Sequence, residues 1–217
     1  MASVPVSVEL QDVFGSDLTV VNAARVSFAK ESAEFSEQDG KLVRYLAKHH
    51  HVSPFFHPQI RFRLKMPIFV AREWFRHTVG FARNEVSRRY VDTDPEFFVP
   101  PEGLRARDKN LKQGSKADLV EQNDELLEGM NHWNQSALEY YKTLLAAGVC
   151  PEQARMVLPQ SMMTEWCESG SLSAYARLCN LRLDPTAQKE IRDIAEKVSQ
   201  MIQPHFPVSW AALMNID

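Results

Sequence analysis

The sequence predicts an α+β fold with one mixed or antiparallel sheet. Gln59 to Lys65 alternates strictly, with Ile60, Phe62, Leu64 and Met66 facing one way and Arg61, Arg63 and Lys65 the other, which is the period of a half-buried strand. Long stretches of helical period lie on both sides of it. The strand candidates are few and widely separated, so no strand–helix–strand succession is apparent. The 217 residues are 44% hydrophobic and 24% charged, enough for one substantial core, and residues 1–217 read as a single domain.

Taken in order, Phe14-Gly15-Ser16 is a turn, and Asp17 is placed to cap a short helix over Leu18–Ala24. Glu37 to His49 is expected to be helical, with Leu42, Tyr45 and Leu46 on one face. His51 to Pro58 holds two prolines and reads as a rigid loop before the strand. Pro67 suits the first turn of a helix running from Ile68 to Arg76, and Gly80 falls in the loop after it. Residues 94–115, rich in Pro, Gly and charge, read as a surface excursion. Lys116 to Ala147 has a helical stripe of Leu119, Leu126, Leu127, Met130, Trp133, Leu138, Tyr141 and Leu144, ended by Gly148. Pro151 starts another helix and Pro159 closes it. Gln160 to Glu168 is a strand candidate, and Ser171 caps a helix through Asn180. Asp184-Pro185 is expected to open the last helix, with Ile191, Ile194, Val198 and Met201 buried.

Composition narrows the partners. A net charge of −3 provides no global field for a nucleic acid polymer. No apolar run has the length of a membrane span, and Met-Ala-Ser-Val-Pro-Val has no basic-then-apolar leader pattern, so a cytoplasmic protein is expected. Cys150, Cys167 and Cys179 are too sparse for a disulfide framework and read as small hydrophobes. His49, His50, His51 and His57 lie close together, but without Cys or a carboxylate at ligand spacing they predict no metal. A run of His at a helix end complements the helix dipole, whereas His51 or His57 lining a pocket is the alternative.

Residues 72–90 carry the strongest chemical signal. Arg72, Arg76, Arg83, Arg88 and Arg89 crowd into this one segment, with His77, Asn84, Glu85, Ser87 and Tyr90 among them. Arg binds planar oxyanions through two parallel hydrogen bonds, and the interleaved Trp74, Phe75 and Phe81 suit a ring. The segment therefore fits a phosphorylated, ring-bearing ligand; the alternative is a set of surface arginines paired with Glu73, Glu85, Asp92 and Asp94. Arg155 and Arg182 are further candidates, the latter equally explained as a cation at a helix C-terminus. Neither a Rossmann nor a P-loop glycine pattern is present, and no Ser or Cys sits in a nucleophile motif.

These residues match a pattern. The chain resembles the flavin-dependent thymidylate synthases, whose signature is Arg-His-Arg, seven residues, then Ser-X-Arg-Tyr. Here Arg76-His77-Thr78 is followed by eight residues and then Ser87-Arg88-Arg89-Tyr90. Ala23–Phe28, His51–Phe55, Pro67–Arg72, Ala154–Pro159 and Asn180–Asp184 are similar to family segments in the same order.

The resemblance implies a twisted, mostly antiparallel sheet flanked by helices, in a homotetramer whose active sites are shared between subunits. It implies transfer of a one-carbon unit from methylenetetrahydrofolate to C5 of dUMP, with FAD reduced by NADPH and no cysteine nucleophile. By the same resemblance Arg182 is the catalytic residue, favouring the N3-ionised pyrimidine. Glu73, Arg76, Glu85, Ser87, Arg88, Arg89 and Arg155 join it around the nucleotide. Ser53, Arg76, His77, Thr78, Glu85, Ser171, Ser173 and Arg177 take flavin-binding positions, and His51 and Tyr90 the folate and flavin pocket.

Departures from the family mark where this chain differs. Thr78 replaces the second Arg, one residue lengthens the loop 79–83, Arg88 stands at a common Gly, Glu73 at a common Gln and Phe56 at a Glu. Ser171, Ser173, Arg177 and Thr186 replace an Asn, an Arg, an Asn and a His. Arg83 is expected to restore from the longer loop the charge lost at Thr78. The alternatives are a relative with altered nucleotide or product choice (a UMP/dUMP methylase of a nucleoside pathway, or a pyrimidine nucleotide hydroxymethylase) and a non-catalytic flavin- or nucleotide-binding protein.

Overall fold

In the computed structural model, which describes residues 4–91, 93–108 and 114–215, the elements run as follows. They are β1 (Ser7–Phe14), α1 (Asp17–Arg25), α2 (Glu37–Lys48), β2 (Gln59–Pro67), α3 (Ile68–Trp74), β3 (Phe81–Glu85), β4 (Arg105–Arg107), β5 (Ser115–Leu119), α4 (Asn123–Ala146), α5 (Pro151–Ala154), β6 (Met163–Ser171), α6 (Leu172–Arg182), α7 (Lys189–Ile202) and α8 (Pro207–Met214). Four strands form one sheet in the order β1-β2-β6-β3, and β4 pairs antiparallel with β5. The class is the expected α+β, mixed helix and antiparallel sheet. β2 buries Ile60, Phe62, Leu64 and Met66, as its alternation requires.

The chain divides into two compact units. One comprises Leu64–Phe75 and Asn84–Trp166 with the N-terminal residues to Ser7. Its core gathers Phe97, Leu138, Tyr141, Ala154 and Met162, with Ile68 and Leu145 packed against them. Phe75 meets Trp166 edge to face at 4.8 Å. Phe97, Phe98 and Val99 are buried, which corrects the surface reading of the start of 94–115. Phe97 bridges Met162 and Phe98 N donates to Ser161 O, so this apolar triplet is tied to the segment leading into β6. Lys116–Leu119, expected as the start of a long helix, is strand instead, paired with β4. α4 begins only at Asn123, whose Oδ1 accepts from Leu104 N at 2.7 Å.

The other unit comprises Val8–Arg63, Arg76–Arg83 and Cys167–Asp217. Here α2 packs on α8, and α6 on α7 and α8. The apolar stripe Ile191, Ile194, Ala195, Val198 and Ile202 of α7 is buried. Ser16 caps α1, rather than the expected Asp17. Asp17 instead caps α8 from a distance, accepting from Val208 N at 3.0 Å and Ser209 N at 2.8 Å. α8 was absent from the sequence expectation. Asp184 does not open α7, because its carboxylate accepts from Thr186 N at 2.8 Å in a local turn and the helix starts at Lys189.

Asp39 of α2 is buried against Arg25, with Ser36 completing a capping box. The Ser36 hydrogen bonds and the Arg25 guanidinium hold its carboxyl below the usual carboxylate range, against the opposing effect of burial. No helix among the described residues is long and apolar enough to cross a membrane.

Candidate functional site

The arginine segment supplies residues to both units, and each set is organised by its own contacts. In the unit that holds α6, the chain leaves α3 and turns at Thr78–Phe81. Phe81 N donates to Thr78 O at 3.2 Å, and Ser171 N donates to Gly80 O at 3.1 Å. Gly80 has φ +82°, and a Cβ there would lie 3.0 Å from both Ala174 Cβ and Ser171 Oγ. Only glycine serves at this point on both counts. The turn presents Val79 O to Arg177, whose Nη2 donates at 2.6 Å.

His77 and Arg182, 105 residues apart in the chain, meet within this unit. Arg182 Nε donates to His77 Nε2 at 2.9 Å. The accepting nitrogen must be unprotonated, so this geometry requires a neutral imidazole with its proton on Nδ1. Partial burial, followed by the charges of Arg182, Arg83, Arg177 and Arg76, lowers the His77 pKa to about 4. Arg76, Thr78, Arg177, His51 and Ser53 are exposed. Ser171 and Ser173 lie beneath the surface, and Ser171 Oγ caps α6 by accepting from Ala174 N at 3.2 Å. His51 stacks on Tyr45 at 6.1 Å between ring centroids.

Arg83 corrects an expectation. It stands in β3, not in a lengthened loop, and forms an ion pair with the fully buried Glu168 of β6. Its guanidinium also lies 4.7 Å over the Phe81 ring. Its charge is therefore balanced by a carboxylate rather than offered in place of the Arg missing at Thr78. Glu168 went unnoticed in the sequence. The signal was available: an acidic residue at an inward-facing position of an alternating strand requires a cationic partner. Burial and the Glu168 carboxylate push the neighbouring Tyr175 phenol well above its ordinary pKa.

In the unit that holds α4, the remaining motif residues follow β3. Glu85 accepts from Thr164 Oγ1, and Val86 N donates to Glu165 O at 2.9 Å. Ser87 starts a tight turn: its Oγ accepts from Arg89 N at 3.3 Å, and its carbonyl accepts from Tyr90 N at 3.0 Å. Arg89 lies 5.0 Å over the Tyr90 ring and reaches Glu152 at 3.4 Å. Both partners of that pair are well exposed, so it is weak and yields readily to a stronger anion. Arg88 Nη1 donates to Thr93 O, and its side chain lines a cavity of about 480 Å³ with Lys65, Val86, Thr164 and Glu165. Glu73 lies part-buried on α3, and Arg155 opens an exposed turn after α5.

The family described as Thymidylate synthase complementing protein matches residues 9–208. The flavin-dependent thymidylate synthase of Thermus thermophilus is 40% identical over 205 residues, covering 94% of this chain and 74% of the relative. That of Thermotoga neapolitana is 37% identical over 208 residues, covering 96% and 90%. Among solved structures, the UMP/dUMP methylase PolB from Streptomyces cacaoi, bound with 5-Br dUMP, superposes with a TM-score of 0.87 at 30% identity. It covers 97% of this chain and 95% of that one.

Proposed function

Because the chain belongs to the Thymidylate synthase complementing protein family, that of the flavin-dependent thymidylate synthases, we propose that it transfers a one-carbon unit from methylenetetrahydrofolate to C5 of dUMP and yields dTMP. The observation that carries the reading is the Arg182–His77 hydrogen bond at 2.9 Å, which joins an arginine from the end of α6 to the motif histidine. A permanently charged guanidinium at the pyrimidine stabilises the N3 anion, and the electron density so gained makes C5 nucleophilic. This chemistry uses no cysteine nucleophile, and Cys179 is in any case sealed in the core, with burial holding its thiol well above the ordinary value.

Ser87, Arg88, Arg89 and Arg155 take the phosphate side of the nucleotide, with Glu73 and Glu85 near the sugar and base. The weak Arg89–Glu152 pair suits this role, since a phosphate competes easily for that arginine. The residues around His77 fit a cofactor that carries a diphosphate, because Arg76, Arg177 and Arg182 bear on one neutral imidazole. Arg76, Thr78, Arg177 and Ser53 would hold the FAD, with the buried Ser171 and Ser173 supporting it through the start of α6, and His51 and Tyr90 would flank the folate. Bound and reduced by NADPH, the flavin supplies the hydride. The chain works as one functional domain in a cytoplasmic homotetramer, with site residues drawn from more than one subunit.

The test supplies dUMP, UMP and dCMP in parallel with methylenetetrahydrofolate and NADPH, and identifies the C5 product by mass. A bound flavin, absorbing at about 450 nm, and conversion of dUMP to dTMP are expected. Preference for UMP, or a hydroxymethyl product, would move the assignment to a related C5-modifying activity. Flavin binding without turnover on any nucleotide would reduce it to a binding protein.

A further inference from the structure

Arg182 is a long, flexible side chain, and a guanidinium stabilises a developing anion only when its orientation is set beforehand. In this structure its Nε–H is committed to His77 Nε2 at 2.9 Å. That bond fixes the plane of the guanidinium, and with it the direction of the Nη pair. His77 is itself held in sequence between exposed Arg76 and the Thr78–Phe81 turn, which Ser171 N and Arg177 fasten through the carbonyls of Gly80 and Val79. The ring therefore sits on a braced turn, not on a loose one.

We propose that His77 is the positioning residue of Arg182: as a neutral Nδ1–H tautomer it accepts from Arg182 Nε and aims the guanidinium at the pyrimidine. This goes beyond a flavin contact for the histidine, and it rests on the reading that Arg182 meets the base. Arg182 touches the ring, the charges of Arg177 and Arg76 also act on it, and that of Arg83 does so while paired with Glu168. They oppose protonation of the imidazole, so the acceptor persists throughout the neutral range. A protonated ring would lose the acceptor and repel Arg182 together.

The experiment reads the ionisation of the bound base, not turnover. dUMP labelled with ¹⁵N at N3 is bound to the flavin-loaded enzyme, and the apparent N3 pKa is taken from the ¹⁵N shift. The wild type is compared with His77→Gln, His77→Leu and Arg182→Lys. Gln places an amide oxygen near the lost Nε2 acceptor, whereas Leu fills similar space without one. Flavin content of each is measured separately by visible absorbance. His77→Leu is expected to weaken N3 ionisation about tenfold, the scale of one hydrogen bond to a charged group, and His77→Gln to recover most of it. Equal N3 pKa values in His77→Leu and the wild type, with Arg182→Lys shifted, would overturn the positioning role while leaving the reading of Arg182 intact. No shift in Arg182→Lys would overturn both. A Gln variant as impaired as Leu would show that the ring, not its acceptor nitrogen, is what matters, and would also overturn the proposal.

Discussion

Glu168 of β6 is fully buried and forms an ion pair with Arg83 of β3, whose side chain is only 14% exposed. The Arg83 guanidinium lies over the Phe81 ring, Phe81 meets the Tyr175 ring edge to face at 4.9 Å, and Phe62 meets Tyr175 in the same manner. An ion pair so placed stabilises little over an apolar pair, yet removing one partner strands a charge out of water. Glu168→Ala is therefore expected to cost about 3–5 kcal/mol in urea unfolding. The double variant Arg83→Leu with Glu168→Leu should recover much of that loss. A double variant as unstable as the single one would show that the charges themselves, not their imbalance, hold β3 to β6.

Acid stability offers a second measurement. In the unfolded chain His77 has its ordinary value near 6.5, whereas in the folded protein burial and the surrounding arginines lower it to about 4. Between these values the unfolded state binds a proton that the folded state refuses, so stability falls as pH drops through that window. The loss is complete below the folded value, and it vanishes in a side chain that cannot titrate. His77→Gln should thus flatten the dependence of Tm on pH between about 6.5 and 4 relative to the wild type. An unchanged slope would mean that other groups, not His77, carry the acid sensitivity.

Sequence reasoning read the two ends of this site better than its middle. β2 was legible because strict alternation of apolar and basic residues leaves one solution. Arg182 and His77 were named through the family pattern, but their mutual hydrogen bond could not be, since 105 residues separate them and nothing local in the chain encodes the meeting. β3 was missed because Phe81, Arg83 and Glu85 alternate within a motif dense in charge, where an inward Arg looks like a surface one until Glu168 is seen to face it. Lys116, Ala117 and Leu119 are good helix formers, so the sequence of β5 favours helix, and pairing with β4 overrides that preference. Asp17 and Asp184 failed as caps of the helices beside them for one shared reason. A carboxylate accepts from whichever backbone N–H groups the fold brings near, and those were Val208 and Ser209 in one case and Thr186 in the other.

The remote cap of α8 makes a third prediction. Asp17 accepts two backbone N–H groups at the first turn of α8, and the site is buried, so water cannot replace it. Asp17→Ala should destabilise by about 1–2 kcal/mol, as loss of a helix cap does elsewhere, and Asp17→Asn by less because its oxygen still accepts. Hydrogen exchange localises the effect: amides of α8 should lose protection before those of α7. Uniform loss across both helices would show that Asp17 supports the whole unit and not this cap.

Gly80 tests the turn on which the His77–Arg182 bond depends. Its φ of +82° disfavours any L side chain, and a Cβ would meet Ala174 Cβ and Ser171 Oγ at 3.0 Å. Gly80→Ala therefore costs backbone strain of about 1–2 kcal/mol and pushes the turn away from the start of α6 as well. Displacement of the turn moves Val79 O from Arg177 and swings His77 on its neighbour, so the Arg182 contact should lengthen. The variant is expected to remain folded, with a Tm lowered by several degrees, but to lose turnover far more than its stability loss explains. The His77 ring reports on it directly: its pKa, about 4 in the wild type, should rise toward 6.5 in a proton NMR titration as the arginines withdraw. A Gly80→Ala protein with normal turnover and an unmoved His77 titration would show that the turn tolerates a side chain and that its glycine has no part in holding the site.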